Sequence, residues 1–332
     1  MNRLAIMGAG SWGTALAIAL APRFDSVSLW TRTQEGAQEM TIARENHRYL
    51  PGFPLPANVN VSNSLCETLQ GADIILTVIP SKYLRSVATQ IKESVGSGAL
   101  LISATKGIEE GTLLRMSAVL TDTLGDRLAA PVAVLSGPTF AKEVAAGEPA
   151  AVVVACEDRA VRENAQRCLS TSNFRLYTSD DVIGVEVGAA LKNVIAIGAG
   201  MCCGLGLGGN SVAALVTRGL AEITRLATAM GGRPKTLAGL AGLGDLVLTT
   251  TGTLSRNRFV GIELGRGKSL DQVLGAMTMI AEGVPTCRAA HALGGHFEVD
   301  LPIVNQMNEI LYNHKDVRTA IRELMERPLT KE

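Results

Sequence analysis

A glycine-rich turn near the start of the chain constrains its fold more than any other feature. Gly8, Gly10 and Gly13 follow the apolar run 4–7, and a helical pattern continues through residues 12–21. A strand, a G-x-G-x-x-G turn and a helix form the arrangement in which backbone N–H groups bind a dinucleotide pyrophosphate. The turn therefore predicts an α/β domain that binds NAD or NADP, although a purely structural glycine turn has the same spacing.

Short apolar runs and helical patterns alternate through the first half of the chain, which predicts crossover units and a parallel sheet. The predicted strands are 4–7, 27–30, 74–79, 100–104, 132–135, 150–155 and 174–177, and a further helix is predicted at 159–169.

Beyond residue 180 the pattern becomes helical throughout, with a glycine-rich loop at 204–209. A chain of 332 residues exceeds the usual size of one core, so we expect two domains, 1–180 and 181–332. The predicted helices of the second are 181–200, 210–230, 234–240, 256–265, 270–277, 286–293, 302–312 and 317–325.

Composition excludes several classes of partner. Thirty-one basic residues balance thirty-one acidic ones, so no overall field favours nucleic acid or an anionic membrane. We expect no signal peptide and no membrane span, because a strand begins at once and the long apolar segments are interrupted by charge or glycine. Six cysteines without C-x-x-C spacing and four dispersed histidines predict reduced thiols, a cytoplasmic location and no metal site.

The end of the second predicted strand bears on the choice of cofactor. A strictly NAD-specific site places an acid there to bind the ribose hydroxyls, whereas this strand is followed by Arg32 and no acid precedes Glu35. Arg32 can receive a 2′-phosphate, which favours NADP or the use of both cofactors. The alternative is a solvated arginine at a strand end.

Lys192 stands out within the predicted helix 181–200. Its helical neighbours at three and four residues are Gly188, Ala189, Ile195 and Ala196, none of which can pair with an ammonium group. A buried ammonium is costly unless a partner lies elsewhere, and such a lysine is a candidate proton donor. The alternative is a lysine that extends from the helix edge into solvent.

Polar clusters follow several apolar segments. Residues 104–107 and 136–143 stand where the carboxyl edge of the sheet is expected, and 242–249 is predicted to be a loop. In 255–257 a capping serine precedes an arginine and an asparagine, so donors converge on a spot the size of an anion.

Together these motifs resemble the NAD(P)-dependent glycerol-3-phosphate dehydrogenases of the bacterial type over residues 4–325. The resemblance implies an α/β Rossmann-type N-terminal domain followed by an all-helical C-terminal domain, in a cytoplasmic homodimer. It also implies reversible reduction of dihydroxyacetone phosphate to sn-glycerol 3-phosphate with NADPH or NADH, for phospholipid synthesis. The matching segments are GAGSWGTALA, NHRYLPG, SATKG, LSGPTFAKE, LKNVIAIGAG, AGLGDLVLT, SRN and AEG.

The resemblance also assigns site residues. Lys192 is implied as the proton donor, with Lys106 and Asp245 beside the reacting carbon. The implied substrate contacts are Lys106, Gly137, Thr139, Lys192, Asn193, Asp245, Thr249, Ser255, Arg256 and Asn257, with the phosphate bound by Arg256 and Asn257. The implied cofactor contacts, besides Gly8, Gly10 and Gly13, are Ser11, Trp12, Arg32, Tyr49, Lys106, Ala141, Arg256, Ile280 and Glu282.

Two other functions fit part of the sequence. The β-hydroxyacid dehydrogenases share the two-domain plan and a G-x-x-x-K-x-x-x-N helix, but Ala196 stands where that pattern needs asparagine. A catalytically silent dinucleotide sensor would bind the cofactor only. The joint presence of Lys106, Lys192 and Asp245 argues against it.

Overall fold

The computed structural model describes residues 2–96, 98–277 and 279–329. The chain forms two compact units. The first unit comprises Met1–Lys106 and Leu114–Glu186, and the second comprises Gly107–Leu113 and Val187–Glu332.

An eight-stranded sheet forms the centre of the first unit, in the order β10-β9-β8-β7-β6-β1-β2-β5. Strands β1 and β6 are neighbours although β2 to β5 lie between them in the chain, so the crossover direction reverses there. Ligands of open α/β sheets bind at such a switch point, beyond the carboxyl ends of the strands. The ten strands of the unit are β1 (Arg3–Met7), β2 (Ser26–Trp30), β3 (Glu45–Asn46), β4 (Leu50–Pro54), β5 (Val59–Ser62), β6 (Ile74–Thr77), β7 (Leu100–Ser103), β8 (Ala133–Ser136), β9 (Ala150–Ala155) and β10 (Phe174–Ser179).

Helices cover both faces of this sheet. Buried apolar side chains of the strands form one core with α1 and a second core with α4 and α5. The helices are α1 (Ser11–Leu20), α2 (Gln34–Ala43), α3 (Leu65–Leu69), α4 (Ser81–Ile91), α5 (Met116–Leu124), α6 (Ala141–Ala145) and α7 (Arg159–Leu169), with short 3-10 turns at Ala21–Arg23 and Gly125–Arg127.

The sheet is parallel-dominated, as the sequence predicts, but one pair of strands is antiparallel. Strand β9 runs antiparallel to β8, whereas the other adjacent pairs of this sheet are parallel. A parallel connection usually needs a full crossover helix, and the link between β8 and β9 contains only the five-residue α6. The sequence prediction also lacked β5 and the small antiparallel pair of β3 and β4, which are short and half polar.

The described part of the second unit contains helices and no strand, as the sequence predicts. Four predicted helices, including 256–265 and 302–312, differ from the observed ones by no more than one residue at either end. The helices are α8 (Val182–Gly204, which begins in the first unit), α9 (Gly209–Ala229), α10 (Pro234–Leu237), α11 (Asp245–Thr251), α12 (Arg256–Gly265), α13 (Leu270–Gly275), α14 (Gly283–His296), α15 (Pro302–Tyr312) and α16 (Val317–Met325).

The predicted loop at 242–249 is helical in the structure. A π-helical turn, Leu240–Gly244, leads directly into α11. Gly239, Gly242 and Gly244 conceal the helical pattern in the sequence. The residues Asp245, Leu246, Thr249 and Thr250 are nevertheless buried at helical spacing. The correction places Asp245 and Thr249 one turn apart on the same face of a helix.

Helix α8 is the core of the second unit. By length and composition it could cross a membrane, but 94% of its most apolar 18-residue window is buried inside the protein. Glycines bring it against α12: a Cβ at Gly200 would lie 2.0 Å from Arg258 O, and one at Gly261 would lie 1.9 Å from Ile197 O. This close approach places the first turn of α12 beside the middle of α8.

Candidate active site

The three glycines of the first turn have separate structural reasons. Gly8 has φ +124°, and a Cβ there would lie 2.6 Å from Val78 O. A Cβ at Gly13 would lie 1.9 Å from Gly8 O, so this glycine lets α1 pack against the turn. A Cβ at Gly10 would meet nothing within 4 Å. Gly10 therefore leaves open space at the start of α1, as a pyrophosphate site requires.

Asn46 is a site residue that our sequence reasoning missed. Its buried Nδ2 donates to Ala9 O (2.8 Å) and Thr14 Oγ1 (2.8 Å), and its Oδ1 accepts from Tyr49 N (3.1 Å). Ser11 Oγ also donates to Tyr49 O, at 2.8 Å. The segment that carries Tyr49 is thus attached to the glycine turn, and the only sequence signal for Asn46 was its membership of the NHRYLPG motif.

Two other predicted cofactor residues have different surroundings. Trp12 is half-buried, and its ring centroid lies 6.3 Å from that of Phe174 on β10. Its indole Nε1 is buried without a hydrogen-bond partner among the described residues. Arg32 follows β2 and is exposed. Trp12 therefore contributes packing beside the turn, whereas Arg32 presents a charge to solvent.

A second group gathers after β7 and β8. Lys106 Nζ donates to Gly137 O at 3.2 Å, and Thr139 Oγ1 donates to the same oxygen at 3.2 Å. Gly137 has φ +150°, and a Cβ there would lie 2.9 Å from Val152 Cα. Ala141 begins α6, directly after this segment. The structure therefore brings Lys106, Gly137 and Thr139 together, as the sequence predicts for the carboxyl edge of the sheet.

In the second unit, Lys192 is buried and paired. Its Nζ lies 2.5 Å from Asp245 Oδ1 and 2.7 Å from Thr249 Oγ1, both on α11. Lys192 is 6% exposed and Asp245 0%. The alternative of a lysine extending from the helix edge is excluded by this burial. The partner that the sequence pattern required lies 53 residues away in the chain.

Asn193, the next residue on α8, belongs to a separate buried contact. Asn257 Nδ2 donates to Asn193 Oδ1 at 2.9 Å, and Asn257 Oδ1 accepts from Gly283 N at 2.9 Å. One amide thus connects α8, α12 and the start of α14. The sequence predicts Asn257 as a phosphate donor, and the structure commits its oxygen and one of its two N–H groups to the protein itself.

The start of α12 carries another charged group of this unit's site, Arg256. Ser255 caps the helix by accepting from Arg258 N at 3.2 Å. Arg256 is the first residue of α12 and is exposed. Although its surface is accessible to solvent, the neighbouring groups crowd the guanidinium and lower its pKa by desolvation, whereas the Glu282 carboxylate acts in the opposite direction. The guanidinium stays charged, because arginine ionises far above neutral pH.

The predicted cofactor residues divide between the units. The nine predicted contacts that precede residue 142 in the chain belong to the first unit, and Arg256, Ile280 and Glu282 belong to the second. Ile280 and Glu282 are half-buried just before α14. Within the described residues, no three His, Cys, Asp or Glu side chains are grouped so that they could hold a metal ion.

Comparisons with known proteins cover both units. The family model for the N-terminus of NAD-dependent glycerol-3-phosphate dehydrogenase matches residues 3–162, and that for the C-terminus matches residues 181–322. A glycerol-3-phosphate dehydrogenase [NAD(P)+] of Koribacter versatilis is 51% identical, covering 100% of this chain and 99% of that protein. Another, of Geobacter sulfurreducens, is 48% identical with the same coverage.

A solved structure agrees with these sequence matches. The crystal structure of glycerol-3-phosphate dehydrogenase from Coxiella burnetii has a TM-score of 0.93 and 40% identity, covering 98% of this chain and 99% of that one. D-mandelate dehydrogenase, at 13% identity and a TM-score of 0.62, shares the fold alone. The predicted fold class, a Rossmann-type α/β domain followed by a helical domain, is confirmed. This chain belongs to the NAD-dependent glycerol-3-phosphate dehydrogenase family.

Proposed function

We propose that this protein reversibly reduces dihydroxyacetone phosphate to sn-glycerol 3-phosphate with NADH or NADPH, and so supplies glycerophospholipid synthesis. The observation that carries the proposal is the buried Lys192, held by Asp245 and Thr249 in a chain that matches its relatives end to end. An ammonium group in an apolar core is costly and needs polar partners, so a lysine kept there between two of them, in a chain of this family, supports a chemical role.

The residues of the glycine turn fit a dinucleotide. Gly10 leaves space where a side chain would stand, and Gly8 and Gly13 fix the turn around it. The N-terminus of α1 supplies N–H groups and positive potential for the pyrophosphate. We assign cofactor contacts to Gly8, Gly10, Ser11, Trp12, Gly13, Arg32, Tyr49, Lys106, Ala141, Arg256, Ile280 and Glu282.

Proton transfer is the task that we assign to Lys192. Bound NAD(P)H supplies the hydride that the ketone carbon receives. As negative charge grows on the ketone oxygen, Lys192 Nζ donates a proton to it. Asp245 and Thr249 orient the ammonium group, and Lys106 adds a second positive charge that stabilises the developing alkoxide. In the reverse direction Lys192 accepts the proton of the hydroxyl group.

The substrate phosphate is assigned to the start of α12. Arg256 offers a planar guanidinium for a bidentate contact, and the capped helix end adds positive potential. Asn257 is a weaker phosphate donor than the sequence suggests, because most of its amide is engaged by Asn193 and Gly283. The assigned substrate residues are Lys106, Gly137, Thr139, Lys192, Asn193, Asp245, Thr249, Ser255, Arg256 and Asn257.

The domain division, the location and the oligomeric state belong to the proposal too. We retain domains of 1–180 for the cofactor and 181–332 for the substrate, in a cytoplasmic homodimer. Support for a homodimer comes from Leu243, Val247, Leu254 and Phe259, large apolar side chains that are exposed within one stretch of the second unit. Light scattering on the purified protein measures its mass, and a monomer would contradict the dimer.

The experiment for the main proposal follows nicotinamide absorbance with dihydroxyacetone phosphate and either NADH or NADPH. We expect both NADH and NADPH to be oxidised. Enantioselective analysis should identify the product as sn-glycerol 3-phosphate. Oxidation with a 3-keto acid but not with dihydroxyacetone phosphate would favour the β-hydroxyacid group. Cofactor binding without turnover of either substrate would favour a dinucleotide sensor.

A further inference from the structure

Two exposed cations of the first unit, Arg32 and Lys82, both influence the side chain of Tyr83. Arg32 follows β2, and Lys82 lies in the first turn of α4. Lys82 Nζ lies 4.6 Å from the ring centroid of Tyr83, and both Lys82 and Arg32 lower the pKa of the Tyr83 hydroxyl. Two cations fifty positions apart in the chain therefore act on the same side chain.

The strands place these cations on either side of the glycine turn. Strand β1 lies between β2 and β6, with Met7 aligned to Trp30 on one side and to Thr77 on the other. Gly8 N donates to Trp30 O at 3.2 Å, and Val78 N donates to Met7 O at 2.9 Å. The chain therefore leaves β2 toward Arg32 and leaves β6 toward Lys82, both at the edge where Gly8 begins the turn.

This cluster has positive charge without a matching carboxylate. Within residues 2–96, 98–277 and 279–329, neither Arg32 nor Lys82 forms an ion pair with an acidic side chain. On the same helix, Arg85 does pair, with Asp122 at 2.6 Å. The hydrogen bond from Lys82 and the charges of Lys82 and Arg32 lower the pKa of Tyr83, as expected for a positive site. Such a site favours an anion, and a phosphomonoester dianion most of all.

We propose that Lys82 is a specificity-determining residue that binds the 2′-phosphate of NADPH together with Arg32. The inference rests on the proposed use of NAD(P)H and adds a residue to its binding site. Arg32, after β2, supplies a planar donor pair, and Lys82, after β6 on the other side of β1, supplies a compact charge. NADH has no 2′-phosphate, so its binding does not depend on Lys82.

The test measures cofactor binding without substrate, from the fluorescence of bound NADPH and NADH. In Lys82→Met we expect the Kd for NADPH to rise about 10-fold, the loss of one charged contact, while the Kd for NADH changes less than about 2-fold. Lys82→Arg should retain most of the affinity for NADPH. Lys92→Met is the matched control, because Lys92 is exposed at the other end of α4 and should leave both values unchanged.

Adenosine monophosphates give an independent result. Lys82→Met should weaken competition by adenosine 2′-monophosphate and leave adenosine 5′-monophosphate unaffected. Equal losses for NADPH and NADH, or no loss for NADPH, would overturn the inference. If the protein fails to turn over dihydroxyacetone phosphate but shows these binding differences, only the proposed reaction is wrong and the role of Lys82 stands.

Discussion

The two units build their candidate sites by opposite means. In the first unit, the pyrophosphate turn consists of backbone, with Gly8 and Gly13 packed tightly and Gly10 left open. Of its charged residues, Arg32 is exposed and Lys106 is half-buried. In the second unit, Lys192 and its partners are buried side chains in a helical core. Cofactor binding therefore depends mainly on chain geometry, whereas the proposed proton transfer depends on polar groups that are also part of the core.

This difference has a thermodynamic consequence. Exposed charges contribute little to stability, so changing them should alter binding and leave the fold intact. A buried ion pair is different, because removing one partner leaves the other charge in a poorly solvated site. Function and stability should therefore separate in the first unit and remain coupled in the second.

Lys192→Met should give the largest effect. We expect kcat to fall at least ~100-fold, because the general acid is lost. The free energy of unfolding should also fall, by about 3–5 kcal/mol, because Asp245 loses the ammonium group that it accepts from. The sequence alone allows the opposite expectation for stability, since no helical neighbour of Lys192 can pair with it. Steady-state kinetics and urea unfolding measure both quantities.

Two variants check this coupling. Lys192→Met combined with Asp245→Asn removes both charges and should recover part of the stability but none of the turnover. Lys235→Met changes an exposed lysine of the same unit and should alter neither. Near-normal turnover in Lys192→Met would make Lys192 a structural residue and leave Lys106 as the candidate donor.

Arg256→Ala should have the next largest effect, on substrate binding. The KM for dihydroxyacetone phosphate should rise about 10- to 100-fold, the loss of a charged phosphate contact, with a smaller change in cofactor affinity. Stability should hardly change because the side chain is exposed. Arg266→Ala, at the other end of α12, is the control. An unchanged KM would remove Arg256 from the phosphate site.

Alanine in place of Gly10 or Gly13 tests the first unit with one methyl group. Gly10→Ala should weaken NADH and NADPH binding about 10-fold without loss of stability, since the Cβ enters only open space. Gly13→Ala should lower the free energy of unfolding by at least about 2 kcal/mol, because its Cβ would overlap Gly8 O. Thermal unfolding and fluorescence titration separate the two. Equal stability losses would show that Gly10 is structural as well.

The difference between a site made of local backbone and one made of distant side chains also explains how much the sequence could predict. Periodicity is local, so the helices 159–169, 256–265 and 302–312 match the structure, and the turn around Gly8 is identified by its spacing. The antiparallel direction of β9 depends on a connection whose helix is too short for a crossover, and this is not visible in the strand pattern.

Contacts between distant residues account for the rest. The pairing of Lys192 with Asp245 spans 53 residues, and its partner helix begins after glycines that obscure the helical pattern. Only the family resemblance brought the two together at the sequence level. Asn46 and Lys82 carry no motif chemistry of their own, and their importance appears only when the neighbouring strands are placed.

Glu222 is another buried group that no local pattern identifies, and we expect its substitution to have the smallest effect on catalysis. On α9, its carboxylate accepts from Ile303 N at 2.7 Å and Val304 N at 3.1 Å, at the start of α15. Desolvation raises its pKa to about 7, although both hydrogen bonds and Arg225 act in the opposite direction. A raised pKa in the folded state means that the stabilising contribution is complete below the unfolded value and is lost as pH rises through about 7.

Wild-type protein should therefore lose stability between pH 5 and pH 8 relative to Glu222→Gln, whose side chain does not titrate. The difference should amount to a few kcal/mol at most, with kcat unchanged, and Tm measured in parallel across this range detects it. Glu163→Gln is the control, because Arg159 lowers the pKa of Glu163 and the carboxylate stays ionised throughout. Parallel Tm curves for wild type and Glu222→Gln would mean that the two N–H donors outweigh burial and keep Glu222 ionised, which would make the helix end of α15 an anion site.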